Sequence, residues 1–466
     1  MLTARIHADC EDSCPATGAK NGHLGSRVNL SLRRVDSRSG SLASRSLSES
    51  AGGVGLVGFL GRALVRRVVI TGAGVVSSIG SGREVFWDAL AAGRSGASRI
   101  EVDRVGEVTV CLSPHDDGVE GLVGRREARR MDRSARLAVV AARQALDDAG
   151  VDPADPGRIG AVIANVHGGA DAMYRAGVAL FSEGLGRVSP FMVPLGLTNA
   201  PVAAVMRANG FRGPSSTVAT ACAAATDALG MAAMLIRAGR ADAILAGGAE
   251  APVSPLVVAG YRRLGALSSN ERRPAEASRP FDRSRDGFVI AEGAGIMLLE
   301  GRDHALARGA RILGEVGGYG SSSDAGHITD PDETGEGPAC AIRCAIVEAG
   351  IEPRQIGHVN AHATSTQAGD IAEARAIIAA GLGHAAVSAT KSLHGHALGA
   401  AGGIEAIATL MPLVRGVLPA TANLDEPEPE PRLDHVRETR PANIQAAISN
   451  SFGFGGHNAA IVLLRA

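Results

Sequence analysis

After residue 65 the chain alternates two kinds of segment, and it does so twice. Apolar, β-branched runs ending in glycine (VRRVVITGAG, RIGAVIANVHGG, ADAILAGGAEAP) are interleaved with long amphipathic runs such as RSARLAVVAARQALDDAG. The second half echoes this with RILGEVGGYGSS, GPACAIRCAIVEAG, IGHVNAHATSTQAGD, GHALGAAGGIEAIATLMPLVRG and a closing hairpin pattern, IQAAISNSFGFGGHNAAIVLLRA. A strand that is apolar on both faces must be covered on both faces. The alternation therefore predicts an α/β fold with mostly parallel, doubly covered sheets. The echo predicts an internal duplication around a shared core.

Composition fits this reading. The chain is 45% hydrophobic and carries 61 glycines but only 3% aromatics, which favours helices packed closely on sheets. Its formal charge of −1 gives no overall attraction to nucleic acid or to a membrane surface. No uninterrupted apolar stretch reaches membrane-spanning length. Residues 1–65 differ in character, with a Ser- and Arg-rich stretch at 26–50. Asp9, Glu11 and Asp12 lie near the start, and the apolar run AGGVGLVGFLG comes too late for a signal sequence. These residues are expected to be a disordered N-terminal extension, with Val65 a natural beginning of the folded part.

The six cysteines are scattered, without disulfide or metal-ligand spacing. Cys340 and Cys344 lie four apart on a predicted helix and are expected to pack as small apolar residues. A reducing, cytoplasmic setting is expected.

Cys222 stands apart. In TVATACAAATDALGMAA it follows a β-branched run and opens an Ala/Leu/Met-rich one, so it is predicted at the N-terminal end of a helix. Unpaired backbone N–H groups and the positive end of the helix dipole there would lower its pKa and favour a nucleophilic thiolate. An inert, buried cysteine is the other reading of this stretch alone. Three further motifs cluster reactive groups at predicted strand–helix junctions, where α/β folds carry chemistry. NAHATST contains His362, KSLHGH contains Lys391, His394 and His396, and NSFGFGGHN contains Phe452 and Phe454 in a glycine loop.

From about residue 66 to the end, these four motifs resemble the β-ketoacyl–acyl carrier protein synthases of the elongating type, condensing enzymes of the thiolase superfamily. The resemblance implies a thiolase-like fold with duplicated βαβαβαββ halves in a five-layer αβαβα arrangement. It divides the chain into an N-terminal half at 66–310 with the nucleophilic cysteine and a C-terminal half at 311–466 with the catalytic His and Lys. It implies that Cys222 takes an acyl chain as a thioester. His362 and His396 would stabilise the enolate left when a malonyl thioester loses CO2, with Lys391 organising them. The backbone N–H groups of Cys222 and Phe454 would form an oxyanion hole, with Phe454 also the gate. Phe452, Glu373, Asp370 and Glu405 match supporting positions, Asp370 as a structural one. His167 stands at an acyl-pocket position, and Arg125, Arg126, Arg129 and Arg130 match a carrier-docking stretch.

The implied reaction is decarboxylative Claisen condensation of acyl-carrier protein with malonyl-carrier protein, in fatty acid or polyketide elongation. It implies no cofactor beyond the carrier's phosphopantetheine and no metal. The implied partners are acyl carrier protein and either a second copy or a related ketosynthase-like subunit, as in a dissociated polyketide synthase. A non-condensing acyltransferase or interaction subunit is the alternative of a different class.

Overall fold

The computed structural model describes residues 66–114, 118–151, 155–269 and 273–466. The predicted N-terminal extension, 1–65, lies outside the described residues.

The first half runs through β1 (Val68–Ser77), α1 (Arg133–Ala149), β2 (Ile159–Ala164), α2 (Ala200–Asn209), β3 (Ser215–Val218), α3 (Ala224–Arg237), β4 (Ala243–Glu250) and β5 (Gly293–Gly301). The second repeats it with β6 (Gly314–Ser323), α4 (Glu336–Ala349), β7 (Ile356–Asn360), α5 (Gln367–Ala379), β8 (Ala386–Ser388), α6 (Ala401–Arg415), β9 (Ala446–Gly453) and β10 (His457–Leu464). The strand order is β8-β7-β9-β10-β6 in one half and β1-β5-β4-β2-β3 in the other. Short antiparallel pairing of β1 with β6 joins them into one twisted sheet.

The halves match pairing for pairing. β1–β5 and β5–β4 are antiparallel, and β4–β2 and β2–β3 are parallel. β6–β10, β10–β9, β9–β7 and β7–β8 repeat that series. The duplication is therefore present, but the sheets are mixed rather than mostly parallel. The tight glycine turn between β9 and β10 shows why: so short a connection can join only antiparallel strands.

Helices α3 and α6 pack against strands of both halves and against each other, forming the middle layer. Helices α1 and α2 cover one half on the outside, and α4 and α5 cover the other. This gives the five αβαβα layers of a thiolase-like fold. A middle layer must be apolar all round, and α6 is buried at every residue from Ala401 to Leu413. Its close seating depends on Gly403, where a Cβ would lie 2.3 Å from the Gly295 carbonyl of β5. Leu229 and Ile236 of α3 join Ile404 and Ile407 of α6 in one core, each contributing about 1.5–3 kcal/mol on burial. The helical stretch Leu398–Arg415 is long and apolar enough to cross a membrane, but 89% of it is buried inside the protein.

The expectation that Cys340 and Cys344 pack as small apolar residues fails. Cys340 is only half-buried and Cys344 is exposed, because that side of α4 faces outward rather than into the core.

Candidate active site

Cys222 and His396 come from equivalent places in the two halves. After β3 the chain turns through Ala221, at φ +48°, into a short turn Ala221–Ala223 and then α3. After β8 it passes through Lys391–His394 and turns through Leu398, at φ +47°, into Leu398–Ala400 and then α6. Both turning residues carry a Cβ in the left-handed region, which costs on the order of 1 kcal/mol or more and persists only where packing imposes it. The first turn presents Cys222. The equivalent position of the second is Gly399, where a Cβ would meet Glu250 Oε2 at 2.5 Å.

His396 is set just before the second turn by backbone bonds to Val289 and Ala291. Its Nε2 lies 3.1 Å from Cys222 Sγ. His362 follows β7, with its ring edge-on to His396 at 5.3 Å between centroids and edge-on to Phe452 at 5.8 Å. Glu373, from α5, clamps the His362 loop. It accepts from the backbone N–H of His362 at 2.8 Å and of Ala363 at 2.6 Å, and from Asn450 Nδ2 at 3.1 Å. Lys391 Nζ approaches His362 Nδ1 at 3.4 Å and forms a buried ion pair with Glu405.

These contacts set proton positions. An ammonium can only donate, so His362 Nδ1 accepts and its proton resides on Nε2. Burial, with the nearby Lys391 charge, holds both His362 and His396 well below the ordinary histidine range, so both imidazoles are neutral. The predicted lowering of the Cys222 pKa does not occur. Desolvation dominates and pushes the thiol up to about 12, although Lys391 and the Phe454 N–H pull the other way. A neutral thiol beside a neutral imidazole results, so deprotonation has to accompany attack.

Phe454 sits in the β9–β10 turn, half-buried. Gly453 brings that turn against the cysteine: a Cβ there would lie 2.9 Å from the Cys222 N and 3.0 Å from the Thr220 O. The Gly455 N–H donates to Ile328 O at 2.8 Å, tying the turn to the facing loop. Cys222, His362, His396, Phe452 and Phe454 all line one cavity. Asp370 lies apart from it. It accepts from the backbone N–H of Phe281 at 2.8 Å and Ser365 at 3.1 Å and faces Arg285, and burial raises its carboxyl to about 7. Glu405 is raised to about 7 for the same reason, against the pull of Lys391. His394 points away into the core, with Nε2 3.1 Å from Thr390 Oγ1.

His167 is not in the cavity lining. It lies behind Tyr261, whose hydroxyl is 3.2 Å from His167 Nε2. Arg125, Arg126, Arg129 and Arg130 are exposed on and after a short helix, Arg125–Ala128. Arg125 pairs with Glu120 at 3.4 Å, and Arg130 stacks over Phe191 at 5.3 Å.

Several contributors carry no sequence signal. Tyr261 and Phe288 line the cavity from segments with no motif. Thr220, just before the cysteine turn, is bonded to Asp227, which also accepts from Tyr319 Oη at 2.7 Å. The Cys222 sulfur and the two imidazoles lie within 4.8 Å of one another, so the same three groups could also grip a soft metal ion.

Comparison with known proteins places these features. Residues 65–305 match the β-ketoacyl synthase N-terminal domain and residues 313–425 its C-terminal domain. A 3-oxoacyl-[acyl-carrier-protein] synthase 2 of Vibrio cholerae is 43% identical over 410 residues, 86% of this chain and 99% of that protein. The ishigamide ketosynthase/chain length factor structure superposes with a TM-score of 0.81 at 36% identity, covering 86% of this chain and 100% of that one. A type II polyketide ketosynthase, solved with its acyl-carrier protein and bound to a hexaketide, gives a TM-score of 0.80 at 33% identity, with the same coverage. With both halves matched, and a thiol and imidazole delivered to one cavity by equivalent turns, this chain belongs to the β-ketoacyl synthases.

Proposed function

We propose that Cys222 of this condensing enzyme is acylated by an acyl-carrier protein and that His362 and His396 then activate a malonyl-carrier protein. The observation that carries this reading is the 3.1 Å approach of His396 Nε2 to Cys222 Sγ, with His362 beside it. As the sulfur attacks the acyl thioester, Nε2 takes the thiol proton and returns it to the departing pantetheine thiolate. Malonyl thioester then enters. Its C–CO2 bond breaks, CO2 leaves, and the bonding pair becomes an enolate facing the two imidazoles. The carbanion attacks the acyl-Cys222 carbonyl, and the oxyanion is met by the N–H groups of Cys222 and Phe454. The C–S bond breaks, releasing a 3-oxoacyl thioester and the Cys222 thiolate, which takes up a proton from solvent to restore the thiol. The reaction class needs no cofactor beyond the carrier's phosphopantetheine.

Lys391 keeps the His362 proton on Nε2, Glu405 compensates the ammonium, Glu373 fixes the His362 loop, and Asp370 acts as a structural anchor. Phe454 gates the cavity on a turn freed by Gly455 and Gly456, both at positive φ. The catalytic division falls between 66–310, which supplies the sulfur, and 311–466, which supplies the imidazoles.

A subunit partner is supported by an apolar face. The segments Ala170–Glu183 and Met192–Gly196 contain no buried residue, and Phe181 is 92% and Leu185 80% exposed. Among the described residues, β3 also has an open edge at the end of the sheet. A second copy of this chain, or a related ketosynthase-like subunit, would cover that face. Carrier protein would dock on Arg125, Arg126, Arg129 and Arg130. The free thiols suit a reducing, cytoplasmic setting.

Intact-mass measurement tests the reading. Incubation with acyl-carrier protein is expected to add the acyl mass, and Cys222→Ala to abolish the gain. Malonyl-carrier protein is then expected to discharge it as a ketoacyl product with release of CO2. Acyl transfer without CO2 release would identify an acyltransferase instead.

A further inference from the structure

Beside Cys222, Phe288, Leu398 and Ala266 give the cavity an apolar stretch of wall. Phe288 and Leu398 belong with Ile290, Val258 and Leu267 to one cluster, against which Cys222 and Tyr261 pack. The rings continue from the catalytic pair: His396 to Phe288 at 5.3 Å, Phe288 to Tyr261 at 5.4 Å, and Tyr261 to Phe454 at 6.5 Å. Tyr261 thus touches the Phe454 ring directly, stands one ring from His396, and brings a hydroxyl to the apolar stretch of wall formed by Ala266, Phe288 and Leu398.

Its partner is arranged to hold one proton. His167 Nδ1 has Glu250 Oε1 3.8 Å away, and no hydrogen-bond partner nearer. Glu250 is fully buried, fixed by the backbone N–H of Val166 at 2.8 Å and of His167 at 3.2 Å. A carboxylate on that side holds the imidazole proton on Nδ1, leaving Nε2 to accept. Tyr261 Oη then donates to Nε2 across 3.2 Å, and its oxygen keeps a lone pair free to accept. Burial keeps the phenol protonated.

We propose that Tyr261, positioned by His167 and Glu250, is a specificity residue that selects acyl chains bearing a hydroxyl group over plain alkyl chains. An alkyl chain laid along this wall leaves the spare lone pair of the phenol oxygen without a donor, whereas a chain hydroxyl donates to it. The inference rests on the acylation of Cys222 described above, and names the chemistry of the chain that the cysteine takes.

The test compares Cys222 acylation by octanoyl-pantetheine with that by hydroxyoctanoyl-pantetheines carrying the hydroxyl on the third or the fifth carbon. In the wild type at least one hydroxylated donor is expected to exceed octanoyl in kcat/KM by about five- to tenfold. Tyr261→Phe, which removes only the oxygen, is expected to bring that ratio to about one, and His167→Leu to reduce it. Each ratio is taken within one protein, so a loss of folded enzyme cancels, and if Tyr261→Phe does not fold then His167→Leu decides. Equal rates in the wild type, or a preference that survives the substitutions, overturns the proposal and leaves Cys222 acylation standing. No Cys222-dependent acylation by any donor overturns both.

Discussion

Lys391 and Glu405 form an ion pair closed to solvent from both sides, with side-chain exposures of 1% and 0%. Removing one partner leaves a buried charge uncompensated, which costs about 3–5 kcal/mol, whereas replacing both by apolar groups costs far less. Lys391→Met is therefore expected to be strongly destabilised in urea unfolding, and Lys391→Met/Glu405→Leu to recover most of the loss. Condensation is expected to stay impaired in the double variant, because His362 Nδ1 has lost its donor. A double variant as active as wild type would show that Lys391 serves folding alone.

The four exposed arginines give a salt-dependent prediction. Steering of an acidic carrier protein weakens as ionic strength rises. Arg129→Glu/Arg130→Glu is expected to raise KM for acyl-carrier protein by about tenfold, with the change in KM rather than kcat. The salt dependence of KM is expected to flatten as well. An unaltered KM would remove these residues from the docking surface.

Phe181 and Leu185 make the interface testable. Sedimentation equilibrium of the wild type is expected at twice the chain mass of 47.3 kDa. Phe181→Lys/Leu185→Lys is expected to shift it toward the single-chain value. A wild type that already sediments as a single chain would direct attention to a related partner subunit instead.

His358, on β7, gives a pH prediction. It is fully buried, neither ring nitrogen has a hydrogen-bond partner, and burial, with Arg440 adding to it, pushes its pKa down to about 3. In the unfolded chain the imidazole titrates near its ordinary value of about 6.5. As pH falls, the unfolded state takes up the proton first. The contribution of His358 to stability is therefore intact above about pH 6.5 and is lost progressively toward pH 3. Relative to wild type, His358→Leu is expected to gain roughly 2 kcal/mol of unfolding free energy between about pH 7 and pH 5. A constant difference across that range would show that the ring is not buried neutral.

What could be read from the sequence was local. Cys222, His362, Lys391 and His396 stand in short motifs at the ends of β-branched runs, so residue type and position coincide within a few residues. The pairing of Tyr261 with His167 spans 94 residues and leaves no pattern in either segment. The Cys222 pKa was misjudged for a related reason. A helix N-terminus is a local feature, but the desolvation that outweighs it is imposed by the Phe454 turn and the His396 segment, from the other half of the chain. Antiparallel pairing was missed because a buried strand is apolar on both faces whichever way its neighbours run. Asp370, expected to be a structural acid, lies in the first turn of α5 and accepts from the backbone N–H groups of Phe281 and Ser365.

The two equivalent turns divide the labour of one site between two copies of one design. A fragment ending before Gly314 would hold the sulfur and no catalytic imidazole. A fragment beginning there would hold both imidazoles and the ammonium, but no nucleophile. Among the described residues, ladder pairing between strands of the two halves is confined to two residue pairs, Val69 with Glu315 and Ile70 with Gly314, beside the isolated bridges Ile290–His396 and Asp282–Pro427. Reassociation would thus rest mainly on the shared α3–α6 layer, and activity recovered on mixing the two fragments would read out how often that layer reassembles. The fold makes this enzyme a ready-made complementation pair, silent in either piece.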